Sequence, residues 1–108
     1  MSYSVIATPR FKREIKRLVK KFASLKNEYA VLIDELSKTP SLGTPLGNNC
    51  YKIRVSIASK GKGKSGGARV ITYIFVQNTT VYLISIYDKS EQGSISDQQL
   101  LKLTKEVE

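Results

Sequence analysis

The spacing of apolar residues changes once along this chain, and that change limits the folds open to it. Up to residue 36, apolar side chains recur at intervals of three and four residues, the period of an amphipathic helix. From Tyr51 onward they alternate with polar residues or form short β-rich runs, as strands do. A chain of 108 residues has room for one such domain. We therefore expect a single α+β domain over residues 1–108, with helices packed against a sheet.

The first third of the chain predicts a short strand, Tyr3 to Ala7, and then two helices. Thr8 and Pro9 suit the N-cap and first turn of the first helix. The apolar positions of the two helices are Phe11, Ile15, Leu18, Val19 and Phe22, and then Leu25, Tyr29, Leu32, Ile33 and Leu36. Only Ala23 and Ser24 separate the two patterns, so we expect an antiparallel helical hairpin.

Residues 39–49 are rich in Pro, Gly and Asn, which indicates a loop. Three strands are then predicted, at residues 51–57, 68–77 and 80–87, and they should form an antiparallel meander. Ser96 and Gln99 form a capping box, with Ile95 and Leu100 placed as its hydrophobic staple, and they predict a C-terminal helix. The expected order is β-α-α-β-β-β(-α), with a mostly antiparallel twisted sheet packed against the N-terminal helical hairpin.

Several classes of protein are excluded by residues that the chain lacks. It has no histidine and one cysteine, Cys50, which leaves no Cys/His zinc cluster, no imidazole base and no internal disulfide. Its carboxylates do not cluster, so neither a metal nor a cofactor is expected. The apolar runs are shorter than the ~20 residues of a membrane helix, and residues 1–10 do not resemble a signal peptide. We expect a soluble, cytoplasmic protein without a membrane partner.

The net charge of +9 favours an anionic partner such as nucleic acid or an acidic protein. One basic cluster lies on the first helix and includes Lys12 and Lys16, for which RNA contact and an ordinary solvated helix face are both open. A second cluster falls within residues 52–69, a stretch without any acid. Its members are Lys52, Arg54, Lys60, Lys62, Lys64 and Arg69. We expect these six to converge on one end or face of the sheet, where they would suit a phosphate backbone.

The glycines of residues 60–67 imitate nucleotide-binding motifs. Gly61, Gly63 and Gly66 have the spacing G-x-G-x-x-G, and Gly63-Lys64-Ser65 matches the end of a Walker A motif. Both motifs require a helix after the glycines, whereas here a strand is predicted from Ala68. We therefore interpret the segment as a hairpin loop that carries three lysines, and those lysines suit phosphate neutralisation better than chemistry.

Three segments together resemble one protein family. They are the run Cys50 to Val55, the loop Ser59 to Ile71 with its Gly-Gly-Ala-Arg, and the ending Leu83 to Glu91. They resemble RelE/HigB-type toxins of bacterial type II toxin–antitoxin systems, and the order of elements is similar over nearly the whole chain. The resemblance implies a RelE/ParE-like fold, ribosome-dependent cleavage of mRNA with 16S rRNA contacts, and inhibition by a cognate antitoxin.

The resemblance also implies where the chemistry lies. The family pattern of basic residues falls on Lys52, Arg54, Arg69 and Lys89. We assign the two arginines to charge stabilisation, because a guanidinium binds phosphate with two hydrogen bonds and rarely loses its proton. Lys52 lies in a cationic cluster, which makes loss of its proton easier, and it is the candidate for proton transfer.

The identity of the general base stays open. RelE-type toxins use a tyrosine in the C-terminal segment, and residues 88–108 contain none. Tyr87 or Tyr73 could substitute, although a tyrosine within a strand is often a core residue. Two other functions also stay open: a ParE-like inhibitor of gyrase on the same scaffold, and an RNA-binding module without catalysis.

Overall fold

The computed structural model describes residues 2–61 and 66–107, which form five strands and three helices. The elements in chain order are β1 (Ser4–Ala7), α1 (Pro9–Lys21), α2 (Leu25–Lys38), β2 (Thr44–Gly47), β3 (Cys50–Val55), β4 (Ala68–Phe75), β5 (Thr80–Asp88) and α3 (Asp97–Val107). The strands form one sheet in the order β1-β5-β4-β3-β2. Strand β1 is parallel to β5, and all other pairs are antiparallel. The predicted α+β architecture and the meander β3-β4-β5 are confirmed.

Alternation along the strands divides the core into two clusters. On one face of the sheet, strand residues such as Val70 and Leu83 pack with the apolar stripes of α1 and α2. On the other face, Ile71, Ile84 and Tyr87 pack with Leu100 and Leu103 of α3. Because both faces are covered, the central strands β4 and β5 are buried along almost their whole length.

Both predicted helix starts are confirmed at the level of hydrogen bonds. Thr8 Oγ1 accepts a bond from the backbone N–H of Phe11 at 3.3 Å, with Pro9 in the first turn. The backbone N–H of Ser96 donates to Gln99 Oε1 at 3.0 Å, and the N–H of Gln99 donates to Ser96 Oγ at 3.2 Å. The capping box therefore fixes where α3 begins.

The prediction that residues 39–49 form only a loop is wrong, because β2 lies within them. This strand pairs with β3 through Thr44 opposite Lys52 and Gly47 opposite Cys50, with a register shift between these pairs. Asn48 and Asn49 both have positive φ angles, of 54° and 63°, which is the backbone of a tight hairpin turn. Gly43 precedes the strand at φ +102°, where a Cβ atom would collide with the carbonyl of Lys52.

The outer edge of β5 is completed by a side chain rather than by a strand. Strand β1 pairs with β5 only as far as Leu83. Beyond it, Glu14 of α1 accepts hydrogen bonds from Ser85 Oγ at 3.0 Å and from the backbone N–H of Ile86 at 3.3 Å. Burial raises the pKa of Glu14, and these hydrogen bonds offset only part of that effect.

A buried ion pair holds the end of β5 against the start of the glycine-rich segment. Lys60 Nζ lies 2.6 Å from Asp88 Oδ1, and their side chains are 8% and 1% exposed. Ser90 donates to the same oxygen through its backbone N–H and its hydroxyl, at 3.0 and 2.8 Å. The Lys60 ammonium also lies over the ring of Phe22 at 5.2 Å. Lys60 is thereby fixed on the α1 side of the sheet.

Within the described parts of the chain, no helix has both the length and the apolar character needed to cross a membrane.

We predict that Asp88→Asn lowers the free energy of unfolding by about 3 kcal/mol, because it leaves the buried Lys60 ammonium without its counter-charge. Asp34→Asn is the matched control, since the Asp34–Lys38 pair is exposed, and it should change stability by less than about 0.5 kcal/mol. Urea unfolding of the two variants measures both values. Equal unfolding free energies for the two variants would mean that the buried Lys60–Asp88 pair contributes nothing to stability.

The same pair predicts the stability of the protein in acid. Burial alone would raise the pKa of Asp88, but the hydrogen bonds from Lys60 and Ser90 outweigh it and lower the pKa. The unfolded chain therefore takes up this proton at a higher pH than the folded chain. The stabilisation is complete above about pH 4 and is lost as the pH falls below it. Unfolding free energies measured from pH 6 to pH 3 should fall less steeply for Asp88→Asn than for the original chain.

Candidate active site

The register of the meander aligns three of the predicted site residues in one row across the sheet. Arg54 of β3 lies directly opposite Arg69 of β4, and Arg69 lies directly opposite Tyr87 of β5. Directly paired residues of antiparallel strands point to the same face, so the three side chains share the face that carries α3. Lys52 belongs to the same side of β3, opposite Ile71. We call Arg54, Arg69 and Tyr87 the cross-strand row.

The two arginines of the row differ in exposure. Arg54 is exposed, whereas Arg69 is 4% exposed and donates from Nη1 to the carbonyl oxygen of Ala68 at 3.2 Å. Like charges in directly opposed register repel one another. Chemically, a guanidinium group can bind a phosphate through two parallel hydrogen bonds.

Gly67, which directly precedes β4, explains how Arg54 and Arg69 come to lie opposite each other. A Cβ atom on Gly67 would collide with the carbonyl oxygen of Val55 in β3. Only glycine therefore allows the two strands to approach at this point. Within the Gly-Gly-Ala-Arg of the sequence, Gly67 is therefore a requirement of the backbone.

Tyr87 lies at the buried end of the row. It is 6% exposed, and its hydroxyl has no hydrogen-bond partner in the part of the chain that the structure describes. Burial raises the pKa of Tyr87, and the positive charge of Arg69 lowers it by a smaller amount. The phenol is protonated at neutral pH, which makes it a proton donor rather than a base. Tyr73, the other tyrosine considered, packs edge-on against Phe75 with 6.4 Å between ring centroids.

The other predicted basic residues that the structure describes have different surroundings. Lys89 follows β5, and its ammonium donates to the carbonyl of Gly93 while its backbone N–H donates to Gly67. Lys12 and Lys16 are exposed on α1. Lys62 and Lys64 lie outside the described residues.

Lys60 requires a correction. We expected all six basic residues of the second cluster to converge, with Lys60 available to phosphate. Its side chain is instead buried against Asp88 on the opposite side of the sheet from the row. In this conformation Lys60 is an anchor of the glycine-rich segment.

The sequence analysis missed the carboxylates that organise this region. Asp88 follows the row residue Tyr87, and Glu14 supports the neighbouring part of β5. A usable signal existed for Glu14, the one acid among the seven basic residues of positions 1–24. For Asp88 the only signal was its place at the end of a buried strand.

Among the described residues, no group of three His, Cys, Asp or Glu side chains could hold a metal ion. Cys50 is buried, and burial raises the pKa of its thiol to about 11. A thiol in that state is a poor nucleophile at neutral pH. The described groups on this face that can act on a phosphate include the guanidinium groups of Arg54 and Arg69, the ammonium of Lys52 and the phenol of Tyr87.

Comparisons with known structures identify proteins of the same fold. In structure, the chain is similar to a mutant of the E. coli toxin RelE in the free state, with 16% identity over 100% of both chains and a TM-score of 0.64. A RelE mutant in complex with a peptide of antitoxin RelBc matches at 16% identity over 94% of both chains, with a TM-score of 0.63. The toxin–antitoxin complex RelBE2 of Mycobacterium tuberculosis matches at 21% identity, with a TM-score of 0.56, over 82% of this chain and 99% of the other.

These structural matches establish the fold. The sequence model of the RelE toxin of the RelE/RelB toxin–antitoxin system matches residues 10–107, nearly the full length. The chain therefore belongs to the RelE family of toxins of toxin–antitoxin systems.

Proposed function

We propose that this RelE-family toxin cleaves mRNA on the ribosome, without a metal ion, by attack of the 2′-OH of the RNA on the adjacent phosphate. The observation that carries the proposal is the cross-strand row. Two arginines and a protonated tyrosine meet on one face, beside Lys52, in a chain that contains no histidine.

The reaction needs little covalent chemistry from the protein. A bond forms between the 2′-oxygen and phosphorus as the bond from phosphorus to the 5′-oxygen breaks. A proton leaves the 2′-OH and another is given to the departing 5′-oxygen, so the products are a 2′,3′-cyclic phosphate and a 5′-OH. Negative charge builds up on the phosphate oxygens in the transition state, where fixed cations stabilise it.

Each row residue has a role that fits its environment. Arg54 and Arg69 stabilise the charged phosphate, and the buried Arg69 is the more shielded from solvent of the two. Tyr87 donates the proton to the leaving oxygen, since its phenol stays protonated at neutral pH. Lys52, half-buried on the same side of β3, is the candidate that accepts the 2′-OH proton. Lys89, held near the end of β5, contributes positive charge.

The rest of the surface suits a ribosomal partner. The net charge of +9 favours association with rRNA, and the exposed Lys12 and Lys16 of α1 are candidates for 16S rRNA contact. The neighbouring structures that contain an antitoxin support a cognate antitoxin for this chain as well.

The test of this function is to add the purified protein to a translating extract and map the ends of the mRNA. We expect cleavage only in the presence of ribosomes, with 2′,3′-cyclic phosphate and 5′-OH ends. Inhibition of DNA gyrase in a supercoiling assay, with intact mRNA, would support the ParE-like alternative instead. Binding to ribosomes without cleavage would support the non-catalytic alternative.

We predict that Arg69→Lys lowers the rate of mRNA cleavage by about 10² to 10³-fold, because an ammonium cannot make the paired hydrogen bonds of a guanidinium. Arg13→Lys is the control, since Arg13 is exposed on α1 and both variants keep the net charge. Circular dichroism is the measurement that checks whether both variants are folded. An Arg69→Lys protein that cleaves at the rate of the control would exclude Arg69 from charge stabilisation.

We also predict that Tyr87→Phe lowers the cleavage rate by about 10² to 10⁴-fold while leaving the unfolding free energy unchanged or slightly higher. The hydroxyl of Tyr87 makes no hydrogen bond within the described residues, so removing it breaks none there. Tyr82→Phe, on the same face of β5, is the matched control and should retain full activity. Retained activity in Tyr87→Phe would show that another group protonates the leaving oxygen.

A further inference from the structure

Strand β5 carries a β-bulge in its second half. Ile71 of β4 pairs with Ser85 of β5. The next pair is Thr72 with Leu83, which leaves Ile84 as an extra residue of β5. A bulge adds one residue to one strand of a pair and re-aims the side chains that follow it. The alternation of side chains along β5 therefore changes phase at this point.

The bulge decides which face of the sheet Tyr87 occupies. Tyr82 and Tyr87 both belong to the apolar cluster on the α3 face, although they are an odd number of positions apart. Regular alternation places such residues on opposite faces. An unbroken strand with Tyr82 in its present place would turn Tyr87 toward α1 and α2, away from Arg54 and Arg69. The phase change at the bulge thus keeps Tyr87 in the cross-strand row.

The residues after the bulge lie on an edge of β5 that β1 no longer covers. The pairing of β1 ends with Ala7 opposite Leu83. A cavity of about 260 Å³ adjoins β5 beyond that point and is lined in part by Ser85. Here Glu14 Oε1 accepts hydrogen bonds from the Ser85 hydroxyl at 3.0 Å and from the backbone N–H of Ile86 at 3.3 Å. The carboxylate of Glu14 takes the place of a neighbouring strand.

Glu14 is available for this contact because the arginines near it on α1 bind other acids. Arg10 pairs with Glu106 at 2.9 Å. Arg17 pairs with Glu91 at 2.8 Å. Helix α1 itself is fixed by its apolar stripe, which is buried in the core beneath the sheet. A fixed helix therefore presents the Glu14 carboxylate to the bulged part of β5.

We propose that Glu14 is a positioning residue for RNA cleavage, whose carboxylate holds the bulged segment of β5 and so keeps Tyr87 beside Arg69. The role in cleavage rests on the proposed function, in which Tyr87 donates a proton. The placement of Tyr87 is independent of whether the chain cleaves RNA. Without an acceptor from α1, the Ser85 hydroxyl and the Ile86 N–H lose their partner, and regular pairing of β5 competes with the bulge.

Three substitutions separate the reach of the Glu14 side chain from its charge. Glu14→Gln keeps the length and an oxygen that can accept both hydrogen bonds, but removes the charge. Glu14→Asp keeps the charge and withdraws the carboxylate by one methylene. Glu14→Met keeps a similar length without a strong acceptor. Glu35→Met is the matched control, since Glu35 is exposed on α2.

Kinetics of mRNA cleavage on ribosomes give the first readout. We expect kcat to fall by about 10²-fold in Glu14→Asp and Glu14→Met, because a displaced proton donor loses its alignment with the leaving oxygen. KM should change less than about twofold, since the phosphate contacts of Arg54 lie on β3. Glu14→Gln and Glu35→Met should keep kcat within about threefold of the original chain.

The order of the variants separates positioning from direct chemistry. If Glu14 acted through its charge or as a base, Glu14→Gln would lose as much activity as Glu14→Met, and the proposal would be overturned. A rise in KM with unchanged kcat would overturn it as well, because that pattern belongs to substrate binding. Thermal unfolding checks that each variant is folded. Should Glu14→Met fail to fold, Glu14→Asp carries the same comparison.

Nuclear magnetic resonance gives a second readout that needs no RNA. The original chain and Glu14→Gln should show nuclear Overhauser contacts between the Tyr87 ring and the apolar side chains of α3, together with slow exchange of the Ile86 amide. In Glu14→Asp and Glu14→Met these contacts should weaken, and the Ile86 amide should exchange faster. Contacts and exchange unchanged in these two variants would overturn the proposal.

The two readouts also separate this inference from the proposed function. If the original chain does not cleave mRNA, the proposed function fails, and the resonance measurements still decide whether Glu14 places Tyr87. If the original chain and all the Glu14 variants cleave at the same rate, the proposed function stands and the role of Glu14 is overturned.

Discussion

The register of the β3-β4-β5 meander is the constraint on which the rest of this structure depends. It sets Arg54 opposite Arg69 and Arg69 opposite Tyr87, so that two like charges and a phenol meet across three strands. A shift of one residue in either pair would send one of the row residues to the face that packs against α1 and α2, and would disperse the row. The close approach of Gly67 to Val55 helps to maintain this register, and the Lys60–Asp88 pair ties the residues that follow β3 to the end of β5. Both features fix the positions of the strands and involve no side chain of the cross-strand row. The fold thus brings two guanidinium-bearing residues opposite each other on one face of the sheet.

Local signals were sufficient to predict most of the fold. The cap at Thr8, the capping box at Ser96 and Gln99 and the period of the helices each depend on residues close in sequence, and the structure confirms all of them. Strand β2 was missed because Thr-Pro-Leu-Gly has no alternation and contains two residues that disfavour strands. Its pairing depends on the Asn48-Asn49 turn and on the closeness of Gly43 to β3, and the second of these is a tertiary contact.

The candidate site was predictable only in part, for a related reason. Alternation along β3 placed Lys52 and Arg54 on one side, and a meander implied that Arg69 would lie near them. Lys60 was misjudged because its partner, Asp88, lies 28 residues away, and no local pattern links the two. The same holds for the burial of Tyr87, which depends on α3 packing over the sheet from the C-terminal end of the chain. Sequence therefore predicts which residue types are available, while long-range packing decides which of them face a substrate.

The burial of Arg69 and Tyr87 bears on how a substrate could reach them. Helix α3 is held by Leu100 and Leu103 in the apolar cluster and by the Arg10–Glu106 pair at 2.9 Å, and Arg17–Glu91 at 2.8 Å ties the preceding segment to α1. Both pairs are largely exposed, so each adds little to stability, and less still in salt. The apolar contacts of the short helix α3 therefore contribute most of the free energy that keeps Tyr87 buried. A phosphate that binds at the exposed Arg54 would gain further contacts with Arg69 if the cover shifted. Under the proposed function, binding of a long and highly charged substrate is well suited to offset the modest free energy that keeps Tyr87 covered by α3.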